Sequence, residues 1–122
     1  MKNTKMLKKN YEFKRVLSKG IYYSGDDLEA FILKNNKKNI NFLGLAISVK
    51  VGKAVKRNHL KRLIRENYYF YENHINLGYS IVFLLKKKSK VEDVDFYSIK
   101  NDMKNIFDKA NLLKREIIWR KY

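Results

Sequence analysis

The stretch Tyr-Ser-Ile-Val-Phe-Leu-Leu, Tyr79 to Leu85, limits what this chain can fold into more than any other. It holds one polar residue and does not alternate, so it leaves no face for water. A short run of this kind reads as a strand covered on both sides, and therefore central in its sheet. It is far too short to cross a bilayer, which takes roughly 20 apolar residues in a helix.

The other elements follow from period and punctuation. Phe13, Val16 and Leu17 at helical spacing, with Asn10 as N-cap and Gly20 just past the end, predict a helix over Tyr11 to Lys19. Leu28 to Lys34 reads as a strand, the polar cluster Asn35 to Asn39 as a turn, and Phe42 to Val49 as a second strand, so the pair is expected to form a hairpin. A short strand near Ile21 to Tyr23 is a further option. Val55 to Tyr71 is the main helix. Asp95 caps a last helix with Phe96, Ile99, Met103, Ile106, Phe107 and Ala110 on one stripe. The tail from Lys114 to Tyr122 either extends that helix or adds an edge strand at Ile117 to Trp119. Met1 to Lys9 reads as a basic N-terminal arm. There is no internal repeat and no Pro- or Ser-rich linker, so residues 1–122 are expected to form one domain. The order α-β-β-α-β-α gives an α+β fold, one sheet with helices packed on it.

The main helix has two unlike sides. At about 100° per residue, with Arg57 at zero, Lys61, Arg65, Asn58 and Arg62 fall within roughly 140° of it. Leu60, Leu63, Ile64 and Tyr71 gather on the other side, free to pack on the sheet. Three of the chain's six Arg lie in the cationic stripe, in a sequence that otherwise uses Lys. Guanidinium binds phosphate oxygens bidentately and Lys does not. Gly52 and Lys53 lie at the helix start, where free N–H groups favour an anion. The plain alternative is a solvated face. Against it, Val55 to Arg65 holds five Lys or Arg and no acid, whereas a merely soluble face mixes signs. The net charge of +16 likewise calls for a polyanionic partner, nucleic acid before membrane.

Little in the chain suits chemistry of its own. Two-metal phosphodiester cleavage needs converging carboxylates, and the twelve acids are scattered. Asp26/Asp27 and Glu92/Asp93 read as turn or capping residues, Asp102 and Asp108 as the polar side of the last helix. Neither His59 nor His74 belongs to a metal-binding pattern, and Gly52-Lys53 followed by Ala54 is not a phosphate-binding P-loop. No catalytic or metal-ligating residue is therefore assigned. The absence of Cys fits a reducing compartment, and the basic N-terminus lacks the apolar segment of a secretory signal. A cytoplasmic binding protein is expected.

Leu43 to Asn67, Leu-Gly-Leu-Ala-Ile-Ser-Val-Lys-Val-Gly-Lys-Ala-Val-Lys-Arg-Asn-His-Leu-Lys-Arg-Leu-Ile-Arg-Glu-Asn, resembles the protein subunit of bacterial ribonuclease P. Ser48, Gly52, Ala54-Val55, Arg57-Asn58 and Lys61 to Arg65 stand in the family's register. Leu7 to Gly20, Gly78 to Lys88 and Asp95 to Leu113 resemble its opening helix, late strand and last helix. The resemblance implies a small α-β sandwich, one mixed sheet of about four strands with three helices and a left-handed βαβ crossover, as in a ribosomal protein domain. It implies an auxiliary subunit of an RNA-catalysed endonuclease that removes the 5′ leader of precursor tRNA, with Mg²⁺ held mainly by the RNA subunit. Its partners would be ribonuclease P RNA and the precursor tRNA, with no membrane. Arg57, Asn58, His59, Lys61, Arg62 and Arg65 would meet the ribozyme RNA. Phe13, Leu17, Phe31, Lys50 and Lys53 would line the leader cleft. His59 stands where the family usually has Arg, Val49 where it usually has Lys, and Leu17 where an aromatic is common. By composition alone Phe13 and Phe31 read as core. The rival readings are a ribosomal or general RNA-binding scaffold and, more remotely, an autonomous nuclease.

Overall fold

The computed structural model describes residues 2–37 and 39–114, so the edge strand expected at Ile117 to Trp119 lies outside the described residues. The last helix, which the other option has the tail extend, ends at Lys109, before the tail begins. The elements are β1 (Thr4–Met6), α1 (Asn10–Lys19), β2 (Ile21–Ser24), β3 (Leu28–Lys34), β4 (Asn41–Leu45), α2 (Ala54–Tyr71), β5 (Tyr79–Leu85) and α3 (Phe96–Lys109). The strands form one mixed sheet in the order β1-β4-β5-β3-β2. β1 and β5 run parallel to β4, while β3 runs antiparallel to both β5 and β2.

β5 takes the centre, with Ile81, Val82 and Phe83 fully buried. This overturns the hairpin expected of β3 and β4. Pairing those two would displace the one strand that has no face for water, so β5 is inserted between them. The Phe42 to Val49 strand is also shorter than expected: β4 ends at Leu45, and Val49–Val51 forms a single 3-10 turn.

The two faces of the sheet are covered unequally. On one, α2 contributes Leu60, Ile64, Tyr68 and Tyr71, and α3 contributes Ile99, Met103, Ile106 and Phe107, against Leu28, Ala30, Ile32, Leu43, Ile81 and Phe83. Among the described residues the other face carries α1 as its one helix, through Val16 over Val82 beside Leu7, with Phe13, Leu17, Phe31, Phe42, Ala46 and Leu84 only partly buried around them.

The hand of the β4-α2-β5 unit follows from two carbonyls. Phe83 and Leu43 both pack on the α2/α3 side. Their carbonyls accept from Ala46 N–H (2.9 Å) and Leu7 N–H (2.8 Å), toward β4 and β1 respectively. In a strand of L-residues running upward, a residue facing the viewer points its carbonyl to the right. Seen from α2, β4 therefore stands to the right of β5, and the chain moves left through the helix. That is the left-handed crossover the resemblance implies and the hand rarely found in such units.

The basic arm expected at Met1 to Lys9 is not an arm throughout. Thr4–Met6 is the fifth strand, absent from the expected count of about four. Three residues cannot announce themselves by period, and long-range polar bonds fix them. Glu72 accepts from Lys2 N–H (3.1 Å), Asn3 N–H (3.2 Å) and Thr4 Oγ1 (2.5 Å), and Thr4 Oγ1 also meets Tyr68 Oη at 2.8 Å. Burial raises the Tyr68 phenol pKa, so the hydroxyl stays neutral and keeps its proton for bonding.

Two local expectations are corrected in the same way. Asn10 is the first helical residue rather than the cap. The Glu12 carboxylate reaches back to Lys9 N–H (2.9 Å) and Lys8 N–H (3.3 Å), and these bonds hold its pKa below the usual carboxylate value. Asp102 does not lie on the polar side of α3. It is 2% exposed and accepts from the N–H groups of Asp26 (2.9 Å), Asp27 (2.9 Å) and Leu28 (3.0 Å), closing the turn between β2 and β3. A side chain at Gly25 would collide with it, its Cβ falling 2.5 Å from Asp102 Cγ.

Candidate nucleic-acid interface

α2 sorts its residues as the helical wheel requires. Leu60, Leu63, Ile64, Asn67, Tyr68 and Tyr71 are buried. Asn58, His59, Arg62 and Arg65 are exposed, and Arg57 and Lys61 are half-buried. Five of the six residues expected to meet RNA thus share one side of the helix, and His59 stands at its margin, beside Val91 and Glu92. Their internal pairing is weak. Arg62 Nε stands 3.7 Å from Glu66 Oε1, and Arg62 Nη2 stands 3.5 Å from His59 Nδ1. An exposed i,i+4 pair of this kind contributes at most a few tenths of a kcal/mol, so it barely competes with a phosphate. Lys56, one residue before the stripe, is instead paired to Glu92 at 2.8 Å.

Apart from Glu92, which is taken up by Lys56, the approach to α2 is cationic. Lys53 occupies the N-cap position without a side-chain cap, and no acid stands in the first turn. Ser48 Oγ accepts from Lys50 N–H at 3.2 Å, which shapes the turn that exposes Lys50. Arg57 has a double part. Its Nη1 donates to Gly52 O at 2.8 Å, bracing the loop, and leaves its remaining donors for a ligand.

On the opposite face Phe13, Leu17 and Phe31 meet in one cluster around Val82. The Phe13 ring lies so close to β4 that a Cβ at Gly44 would fall 2.5 Å from Phe13 Cε1. Phe31 on β3 is half-buried, and Tyr22 on β2 tilts against it with ring centroids 5.3 Å apart. The result is a partly exposed apolar strip, or trough, beside α1, carrying the Phe13, Phe31 and Tyr22 rings. Its Ala46 and Leu84 end is where β4 leaves the sheet, and the chain runs from there through Lys50 and Lys53 into α2. Trough and stripe therefore occupy opposite faces of the sheet, joined by one basic loop.

The Ribonuclease P family model matches residues 1–111. The chain belongs to the ribonuclease P protein family. It is 38% identical over 110 residues to the ribonuclease P protein component of Clostridium kluyveri, covering 88% of this chain and 96% of that protein. It is 40% identical over 113 residues to that of Clostridium botulinum (strain Loch Maree), covering 92% and 98%. Among solved structures it resembles the RNase P protein of Staphylococcus aureus, with 28% identity, a TM-score of 0.78 and coverage of 89% and 97%. It also resembles that of Thermotoga maritima, with 27% identity, a TM-score of 0.76 and coverage of 86% and 96%. The α+β sandwich is thus that of the ribonuclease P proteins. Within it, one trough residue went unread in the sequence. Tyr22 lies opposite Phe31 in the β2–β3 register, and its hydroxyl donates to Glu29. The signal was the parity of the two strands: residues paired across a ladder share a face.

Proposed function

We propose that this chain is the cytoplasmic protein subunit of a ribonuclease P. It docks on the RNA subunit through Arg57, Asn58, His59, Lys61, Arg62 and Arg65, and it holds the single-stranded 5′ leader of precursor tRNA in the trough of Phe13, Leu17 and Phe31. Lys50 and Lys53 neutralise phosphates where the trough meets the loop. The observation that carries this reading is the opposition of a cationic helix face and an aromatic trough on the two sides of one sheet. The first suits the phosphates of a folded RNA. The second suits unpaired bases of variable sequence, because every base has a face on which a ring can stack.

In this reading the phosphodiester is hydrolysed by the RNA subunit, which holds the Mg²⁺ ions. Four of the chain's twelve carboxylates have structural parts instead: Asp102 in a turn, Glu72 at β1, Glu92 with Lys56 and Asp95 at the α3 cap. Reconstitution is the test. The protein, a bacterial ribonuclease P RNA and a precursor tRNA are mixed at near-physiological Mg²⁺. Cleavage at the mature 5′ end, dependent on the RNA and accelerated by the protein, is expected. Cleavage by the protein alone would support an autonomous nuclease. Absence of any stimulation would leave a general RNA-binding scaffold.

A further inference from the structure

The cationic stripe of α2 does not end in charge. Tyr69 lies four residues beyond Arg65 and seven beyond Arg62, on the same helical face, and it is 63% exposed. Across from it stand the first residues of α3, Phe96 and Tyr97, whose rings meet edge to face with centroids 5.3 Å apart. Tyr97 is 74% exposed. Arg62, Arg65, Glu66, Tyr69 and Phe96 enclose a shallow cavity of about 480 Å³. Its wall is held firmly. The fully buried Asn67 Nδ2 donates to Phe96 O (3.1 Å) and Leu63 O (3.0 Å), while Asp95 and Ser98 cap α3 reciprocally at 2.8 and 2.9 Å.

From this shelf, which rests on the reading of α2 as the RNA-docking face, we infer a binding site for one unstacked nucleobase of the RNA partner. The base lies against Tyr69 and Phe96, and Arg62 and Arg65 take the phosphates on either side of it. Exposed aromatic surface rimmed by cations is costly to leave in water and marks an interaction site. Folded RNA offers the matching group wherever a bulge or loop splays a base out, which proteins read by stacking it on aromatic rings. The neighbouring Phe70 already carries the Lys100 ammonium over its ring, 4.4 Å from the centroid. A second copy of the chain fits poorly, since a two-fold contact here would bring Arg62 and Arg65 of both copies together.

The affinity of the full-length protein for a bacterial ribonuclease P RNA, measured across a salt series, tests the assignment. Tyr69→Ala is expected to weaken binding by roughly 5- to 100-fold without changing the slope of log affinity against log salt, because a stack is lost and no phosphate contact. Tyr69→Phe keeps the ring and is expected to bind as the wild type does. Arg62→Ala is expected to flatten the slope. Unchanged affinity in Tyr69→Ala, with a flattened slope in Arg62→Ala, would overturn the base site and leave the docking face standing. No effect of either variant would overturn both. A loss of self-association without a loss of RNA affinity in Tyr69→Ala would assign the shelf to a second copy instead.

Discussion

Replacing Arg62 and Arg65 together by alanine is expected to lower affinity for ribonuclease P RNA by roughly 2 to 4 kcal/mol and to reduce the salt-dependence slope by about 0.7 to 0.9 per lost phosphate contact. The fold should not notice. Both side chains are exposed, and the Arg62 to Glu66 separation of 3.7 Å marks a weak pair, so thermal unfolding should shift by little. Arg57 is a poorer choice for this test. Its bond to Gly52 O means that Arg57→Ala removes a brace of the loop along with the proposed phosphate contact. A salt series on the double variant, with melting curves beside it, reads both quantities. An unchanged slope would reduce the stripe to a solvated face.

Asp102→Ala is expected to be among the most destabilising changes at a polar residue. It strands the N–H groups of Asp26, Asp27 and Leu28, all three now bonded to one buried carboxylate. Buried donors left without partners cost roughly 1 to 3 kcal/mol each before relaxation, so a total of roughly 3 to 5 kcal/mol is reasonable. For a chain of this size that lowers the melting temperature by about 10 to 20 °C. Asp108, on the same helix and exposed, is the control: Asp108→Ala should stay within about 0.5 kcal/mol of the wild type. Calorimetry or thermal circular dichroism on the two variants separates them. Equal melting temperatures would mean that water replaces the carboxylate without cost.

The arginine pair and Asp102 mark where the sequence was legible and where it was not. Arg62 and Arg65 announce themselves because a helix repeats and charges do not hide. The wheel separated Leu60, Leu63 and Ile64 from the cationic stripe, and burial follows that division. β5 was legible for the same reason, since a strand with no polar face has one place to go. On the wheel Asp108 lies opposite the apolar stripe, whereas Asp102 borders it, about 40° from Ile106 and about 60° from Ile99. An acid at such an edge reads as solvated, and only the β2–β3 turn, some 75 residues away in sequence, gives its carboxylate a reason to be buried. β1 was illegible because three residues carry no period, and its anchor, Glu72, lies at the far end of α2. The β3–β4 hairpin failed because adjacency in sequence is a weaker constraint than the burial of β5. The left-handed crossover came from the family resemblance and not from any local signal. Of the trough, Phe13 and Phe31 read as core by composition, and both do pack on the Val16 and Val82 cluster. They stay half-buried there because ten-residue α1 is the sole helix on that face among the described residues.

The central claim is a division of labour between the two faces of the sheet, and one paired measurement tests it. Affinities for ribonuclease P RNA, and of the assembled holoenzyme for precursor and leaderless tRNA, are determined for Phe31→Leu and for the Arg62/Arg65 alanine variant. Phe31→Leu keeps an apolar side chain and removes the flat ring. It should assemble normally with the RNA subunit, bind leaderless tRNA normally and bind precursor tRNA about fivefold or more weakly. The arginine variant should fail at assembly, and once saturated with RNA subunit it should discriminate precursor from leaderless tRNA as the wild type does. If both variants lose assembly and leader discrimination in equal proportion, the faces are not separate sites and the account is wrong.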